Sequence, residues 1–233
     1  MRYLGSKTKI ASQLLKSILD VPESYKKWYI EPFAGGCNVI DKVGGMNRIA
    51  NDNNYYLIEM WKSLQNGWVP FSDISKEEYY CVKENIDIYP PEYAGFIGHA
   101  CSFSGGWWNG YITKNNPATI IAEALIKQAQ LLKDVQFFYG NYFELKIPEN
   151  SIIYCDPPYS GVKDFSWLKF DHIYFWNWVR KMNELGHKIF VSEYTAPADF
   201  EAILEIPVKI TLGNKNKGDK VQEKIERLFI KRS

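Results

Sequence analysis

Ser151-Ile152-Ile153-Tyr154-Cys155-Asp156-Pro157-Pro158-Tyr159 is the stretch on which the reading of this chain turns. Its first five residues form a nearly continuous apolar run, the pattern of a strand buried on both faces inside a helix-covered parallel sheet. The run delivers the chain into a carboxylate followed by two prolines. Because prolines fix φ and lack amide protons, the result is a stiff loop with exposed carbonyls. A carboxylate and a neighbouring carbonyl held this way can accept both hydrogens of an aromatic amine, whose lone pair is otherwise delocalised into its ring. Tyr159 adds a π-face on which a base can stack. A Pro-Pro turn with a capping Asp and a core Tyr is the plainer alternative for the same four residues.

The neighbouring segments supply the rest of an alternating α/β pattern. Apolar residues Ile10, Leu14, Leu15, Ile18 and Leu19 recur at helical spacing. Trp28-Tyr29-Ile30 and Arg48-Ile49-Ala50-Asn51-Asp52 are short strand candidates, and residues 38–46 between them are expected to form a crossover helix ending at Gly44-Gly45. A long amphipathic helix over residues 118–132 leads to a strand at 135–139. A further helix at 173–185 precedes the buried strand 188–192. The tail alternates, with Val208, Ile210 and Leu212 before a turn and Val221, Ile225, Leu228 and Ile230 after it, which predicts a terminal hairpin with its tip at 213–220. Residues 61–116 differ in character, carrying Asn66-Gly67, Pro90-Pro91 and a Gly- and Trp-rich stretch, and are expected to form a small, mostly helical insertion.

The 233 residues, 46% of them hydrophobic, suffice for one sizeable core with a small inserted lobe. A formal net charge of +1 gives no global sign of a polyanionic partner, so any nucleic-acid surface must come from local clustering. Cys37, Cys81, Cys101 and Cys155 form no C-x-x-C pair, and three histidines add little, so neither a metal site nor a disulfide framework is expected. Residues 1–9 are polar and basic without an apolar signal core, and no run reaches membrane-spanning length. The expectation is a soluble cytoplasmic chain without a membrane partner.

Glu31-Pro32-Phe33-Ala34-Gly35-Gly36 stands where the first strand should give way to a helix. Glycines there let a backbone pass close to a ligand, as in nucleotide-binding α/β folds, but the spacing is not the G-x-G-x-x-G of dinucleotide sites. Asp52, at the end of the second strand, is placed to accept hydrogen bonds from ribose hydroxyls. A β-turn with a helix-capping Asp reads equally well from these residues alone.

Taken together, Tyr3-Leu4-Gly5-Ser6-Lys7, Glu31 to Gly36, Asn51-Asp52 and Asp156 to Tyr159 follow one another in the order that marks the Dam-like, D12 class N6-adenine-specific DNA methyltransferases, which the chain resembles over essentially its whole length. The resemblance implies a Rossmann-like α/β fold with a mostly parallel seven-stranded sheet closed by an antiparallel C-terminal strand. Residues 1–60 and 117–233 would form the catalytic domain and 61–116 the target-recognition lobe. It implies S-adenosyl-L-methionine as methyl donor, S-adenosyl-L-homocysteine as product, and double-stranded DNA as partner. The cofactor site would draw on Tyr3, Lys7, Glu31, Phe33, Ala34, Gly35, Gly36 and Asp52, with Asp156 shared between cofactor and catalysis. Asn141 and Tyr142 would hold the cofactor's adenine, although related enzymes usually show an acid where this chain has Asn141. Asp156, Pro157, Pro158 and Tyr159 would be catalytic, acting on a flipped adenine without a metal. A bacterial, phage or mobile-element setting and a monomer are expected.

Two stretches could touch DNA. Trp107-Trp108-Asn109, in a glycine-rich loop, resembles family segments that approach the duplex beside the flipped base, and core packing is the alternative for the Trp pair. Lys215, Lys217 and Lys220 at the hairpin tip suit phosphate contacts or an ordinary solvated turn. Rival readings are an amino-methyltransferase acting on cytosine N4, RNA or a protein glutamine, a cofactor- or DNA-binding homologue without turnover, and a nicotinamide dehydrogenase on a similar fold.

Overall fold

The computed structural model of the protein describes residues 1–71, 73–112, 117–160, 170–212 and 220–232, with backbone alone at 117, 209–212 and 220–222. The strands are β1 (Trp28–Glu31), β2 (Asn47–Asp52), β3 (Val135–Tyr139), β4 (Ile152–Cys155), β5 (Lys188–Glu193), β6 (Phe200–Leu212) and β7 (Lys220–Lys231). The α-helices are α1 (Ala11–Ile18), α2 (Tyr55–Gln65), α3 (Lys76–Glu84), α4 (Pro91–Ala100), α5 (Pro117–Leu131) and α6 (His172–Glu184). One seven-stranded sheet runs in the order β3-β2-β1-β4-β5-β7-β6. β1 to β5 are parallel, and β7 enters antiparallel between β5 and β6. The fold is the Rossmann-like α/β architecture implied by the resemblance.

The apolar runs bury both faces of the sheet because neighbouring side chains point to opposite sides. In β4, Ile152 and Tyr154 join the core under α1, α2, α4 and α5, while Ile153 and Cys155 join the second core under α6. β1 divides likewise, with Tyr29 on the first side and Ile30 on the second. Each such large apolar side chain, fully buried, stabilises the fold by about 1.5–3 kcal/mol. Three of the helices, α2, α3 and α6, start on side-chain caps. Asn54 accepts from the Leu57 amide, Asp171 from the Tyr174 amide, and Ser75 from the Glu78 amide in a Ser-x-x-Glu box.

Residues 38–46 do not form a crossover α-helix. They make a single 3-10 turn at Ile40–Lys42, and Val43 is already extended. β-branched Val39, Ile40 and Val43 favour this path over a helix. Cys37 and Gly45, both at positive φ, bend the chain at either end of the short connection. The terminal hairpin is present but longer than its pattern suggested, since β6 already begins at Phe200. Ile225 is 41% exposed, whereas Glu226 is 5% exposed on the face of Leu228. A buried carboxylate there requires partners, and they come from the site described next.

α2, α3 and α4 form a helical layer beside the sheet. α4 approaches α2 so closely that a Cβ on Gly95 would lie 2.1 Å from the Tyr56 carbonyl oxygen. Trp61, inside α2, is fully buried against the sheet, its ring stacked parallel to Phe137 at 6.3 Å. No helix among the described residues is long and apolar enough to cross a membrane.

Candidate active site

Strand order reverses between β1 and β4, which opens a crevice beyond their C-terminal ends, the usual ligand site of open α/β sheets. β1 delivers Pro32 and Phe33 to this crevice, and β4 delivers Asp156. Pro157 is buried, while Asp156 and Tyr159 are half-buried and Pro158 is exposed. Lys7 reaches in from the N-terminal segment to place Nζ 2.9 Å from Asp156 Oδ1, 3.5 Å from Glu226 Oε1 and 4.6 Å from the centre of the Tyr159 ring. Burial works against the Lys7 ammonium, but the charges and hydrogen bonds of Asp156 and Glu226 outweigh it and hold its pKa above the ordinary value. The Tyr159 hydroxyl donates to Glu226 Oε1, and the Tyr194 ring meets the Tyr159 ring edge-on at 4.7 Å.

Glu193, the last residue of β5, clamps the same loop. Its two carboxylate oxygens accept from the amides of Ser160 (3.1 Å) and Tyr194 (2.8 Å). Burial pushes its carboxyl up to about 7, against the pull of these two amides.

Tyr3 lies on the glycine-rich turn. A Cβ on Gly35 would sit 2.6 Å from Tyr3 Cε1, and one on Gly36 would sit 2.7 Å from Tyr3 Cβ. These glycines therefore admit the Tyr3 ring, a reason the motif alone did not disclose. Asp52 reaches across the turn, Oδ2 accepting from the Gly35 amide at 2.9 Å and Oδ1 from the Asn54 amide at 2.9 Å. Burial raises its pKa in spite of these bonds. The indole N–H of Trp61 donates to the Gly35 carbonyl at 3.2 Å, and the Asn51 amide group bridges the carbonyls of Pro32 and Gly140. Ala34 is buried in the same turn. Glu31 is buried within the sheet, where the Tyr29 hydroxyl donates to it, and burial holds its carboxyl well above the usual carboxylate range.

On the other flank Phe33, Tyr142 and Phe170 form an aromatic group, with ring centres 5.0 Å apart for Phe33 and Tyr142 and 5.9 Å for Phe33 and Phe170. Asn141 beside them is exposed, its amide directed to Glu144. The crevice thus gathers carboxylates at Asp52 and Asp156 and aromatic side chains at Phe33 and Tyr142. This donor set fits a nucleoside-bearing cofactor.

The Trp-rich loop packs back onto the helical layer. Trp107 covers Gly98 and stacks near Tyr56 and His99 at 5.6 and 4.9 Å, while Trp108 meets Tyr79 at 5.1 Å. Asn109 and Phe103 are left on the outer rim. His99 joins this loop to Tyr3, with ring centres 5.1 Å apart, and burial lowers its pKa to about 4. Lys215 and Lys217 lie outside the described residues, as does the Lys220 side chain.

Glu193, Glu226, Trp61 and His99 belong to no motif. Glu226 could have been noticed only as an acid among the alternating apolar residues of the last strand.

No curated protein has a sequence that matches this one. Two solved structures have a similar chain path. One is the rRNA methyltransferase aviRa from Streptomyces viridochromogenes, 10% identical over 96% of this chain and 84% of that one, with a TM-score of 0.42. The other is a candidate RNA methyltransferase from Pyrococcus horikoshii, 12% identical over 98% of this chain and 83% of that one, with a TM-score of 0.41. The match to a family ends at residue 93, short of Asp156 to Tyr159. Over residues 3–93 the sequence matches the D12 class N6 adenine-specific DNA methyltransferases.

Proposed function

We propose that the protein methylates N6 of adenine in double-stranded DNA, with S-adenosyl-L-methionine as donor. The observation that carries this reading is the Lys7–Asp156 pair, 2.9 Å apart at the mouth of the β1/β4 crevice and backed by the rigid Pro157-Pro158 loop. The family match over residues 3–93, which contains Tyr3, Lys7, the glycine-rich turn and Asp52, supports the choice of cofactor and base.

When bound, the cofactor supplies a methyl group on a positively charged sulfur. Asp52 would accept hydrogen bonds from its ribose, and Phe33 and Tyr142 would flank its adenine, with Tyr3 holding Gly35 and Gly36 in place. Asp156 and the Pro157 carbonyl would accept hydrogen bonds from the two amine hydrogens and turn the nitrogen lone pair toward the methyl group, and one amine proton would leave to water once the C–N bond has replaced the C–S bond. Tyr159 would stack on the flipped base, whose extrusion costs a few kcal/mol of pairing and stacking. Residues 1–60 and 117–233 would be the catalytic domain, and 61–116 the target-recognition lobe. Asn109 on its rim and Lys215, Lys217 and Lys220 on the hairpin would face DNA, with Trp107 and Trp108 shaping the rim from behind.

The test is methyl transfer from labelled cofactor to unmethylated duplex DNA, followed by digestion to nucleosides. N6-methyladenine is the expected product. N4-methylcytosine, or label in RNA or protein instead, would overturn the choice of substrate.

Glu193 gives a pH signature. Its ionised form can accept both loop amides, whereas protonation leaves one good acceptor oxygen. The rate should therefore rise as pH passes upward through about 7. Stability should move the other way. A carboxyl raised in the folded state contributes stability that is fully present below its unfolded pKa of about 4.3 and is lost as pH rises through the folded value. Glu193→Gln should flatten the rate profile near neutrality, and an unchanged profile would remove Glu193 from the clamp.

A further inference from the structure

We propose that Glu226 is a positioning residue for the methyl-transfer centre, fixing Lys7 and Tyr159 in the places Asp156 needs them. The inference rests on the reading of Asp156 as the group that orients the amine. Glu226 is nearly inaccessible on β7, yet a single carboxylate oxygen receives both the Tyr159 hydroxyl and the Lys7 ammonium.

These contacts have a chemical consequence. Asp156 must offer lone pairs to the amine, and an ammonium directed wholly at it would compete. With Glu226 as a second anchor, Lys7 is divided between two carboxylates. Tyr159 is constrained from three directions, by Lys7 over its face, by the Tyr194 ring at its edge and by Glu226 at its hydroxyl. A stacking platform pinned this way loses no freedom when a base arrives.

Several groups act on the buried Glu226 carboxyl. Lys7 lowers its pKa, while burial and Asp156 raise it, and the net direction is upward. Tyr159, Tyr154, Tyr194 and Glu193 all interact with it electrostatically. On its own strand, Lys224 lies over the Tyr194 ring at 4.4 Å and Arg227 is directed to Glu205 and the Tyr194 carbonyl. Among the described residues, Lys7 is the cation in a salt bridge with Glu226. With a sulfonium donor bound, the amine nitrogen would gain positive charge as the C–N bond forms and the C–S bond breaks, and the carboxylates of Asp156 and Glu226 would stabilise that charge until one amine proton passes to water.

The test compares wild type, Glu226→Gln, Tyr159→Phe and the double variant in single-turnover methylation, with thermal melting and S-adenosyl-L-homocysteine binding measured on each. Glu226→Gln should lower kcat between about tenfold and 10²-fold while KM for DNA and product affinity stay within about twofold. Tyr159→Phe removes the other end of the same bond, so the double variant should be little slower than the worse single one. Glu226→Asp should recover part of the loss. An unchanged kcat in Glu226→Gln, or losses that simply multiply in the double variant, would overturn the role. Equal loss of kcat, binding and melting temperature would make Glu226 structural only. Should Glu226→Gln fail to fold, the same decision falls to Glu226→Asp, which must then slow kcat without weakening product binding. A wild type that methylates no nucleic-acid base overturns the underlying reading and the role with it.

Discussion

Asp156→Ala is expected to abolish methyl transfer, by about 10³-fold or more, in a protein that still folds. The carboxylate stands beyond the last residue of β4 and is only half-buried, so its loss leaves the strand and both cores intact. Lys7 keeps Glu226 as a partner, so no ammonium is stranded. The stability change should therefore be modest, about 1 kcal/mol. Asp156→Asn retains one acceptor oxygen without the charge and should fall between wild type and Ala. Labelled-methyl transfer and thermal melting, measured on the same preparations, check both halves. A folded Asp156→Ala protein with wild-type turnover would refute the mechanism.

Trp61→Ala is expected to have the largest effect on stability, a loss of about 3–5 kcal/mol. That is a substantial part of the total for a domain, which is about 5–15 kcal/mol. The indole is essentially inaccessible, lies flat against Phe137 of β3, and donates to the Gly35 carbonyl. Removing it opens a cavity between α2 and the sheet and also frees the turn whose amide holds Asp52. Trp61→Phe separates the two effects. Most of the apolar bulk remains, the hydrogen bond is lost at a cost of about 1 kcal/mol, and cofactor affinity should fall more than stability does. Denaturant titration and cofactor calorimetry report the two quantities. Equal cofactor affinity in Trp61→Phe and wild type would detach this indole from the turn.

Much of the architecture was legible because buried parallel strands leave an unambiguous mark. The runs ending at Cys155 and at Ser192 carry that mark, and the helices with apolar stripes are equally plain. The crossover between β1 and β2 was misread because residues 38–46 mix β-branched and glycine residues in a segment too short for periodicity to discriminate. Glu226 was not legible as a buried group, since acids ordinarily face water, and Lys7 reverses that expectation. The elements of the candidate site were legible as an ordered set of motifs. What binds them to one another was not, because Glu193, Glu226, Trp61 and His99 act through contacts between segments far apart in the chain. A packing reason for Gly35 and Gly36 was hidden for the same cause.

The meeting of Lys7 with Glu226 also bears on how the protein comes to be active. These residues belong to nearly opposite ends of the sequence, and every strand of the sheet lies between them or contains one of them. Contacts so distant close late, since the loop entropy must be overcome before they give any return. Until β7 is in place, the loop from Asp156 to Tyr159 lacks the anchor that Glu226 provides. β6 is tied to the sheet through β7, so the two strands reach β5 together as one hairpin and bring Glu226 to Lys7 with them.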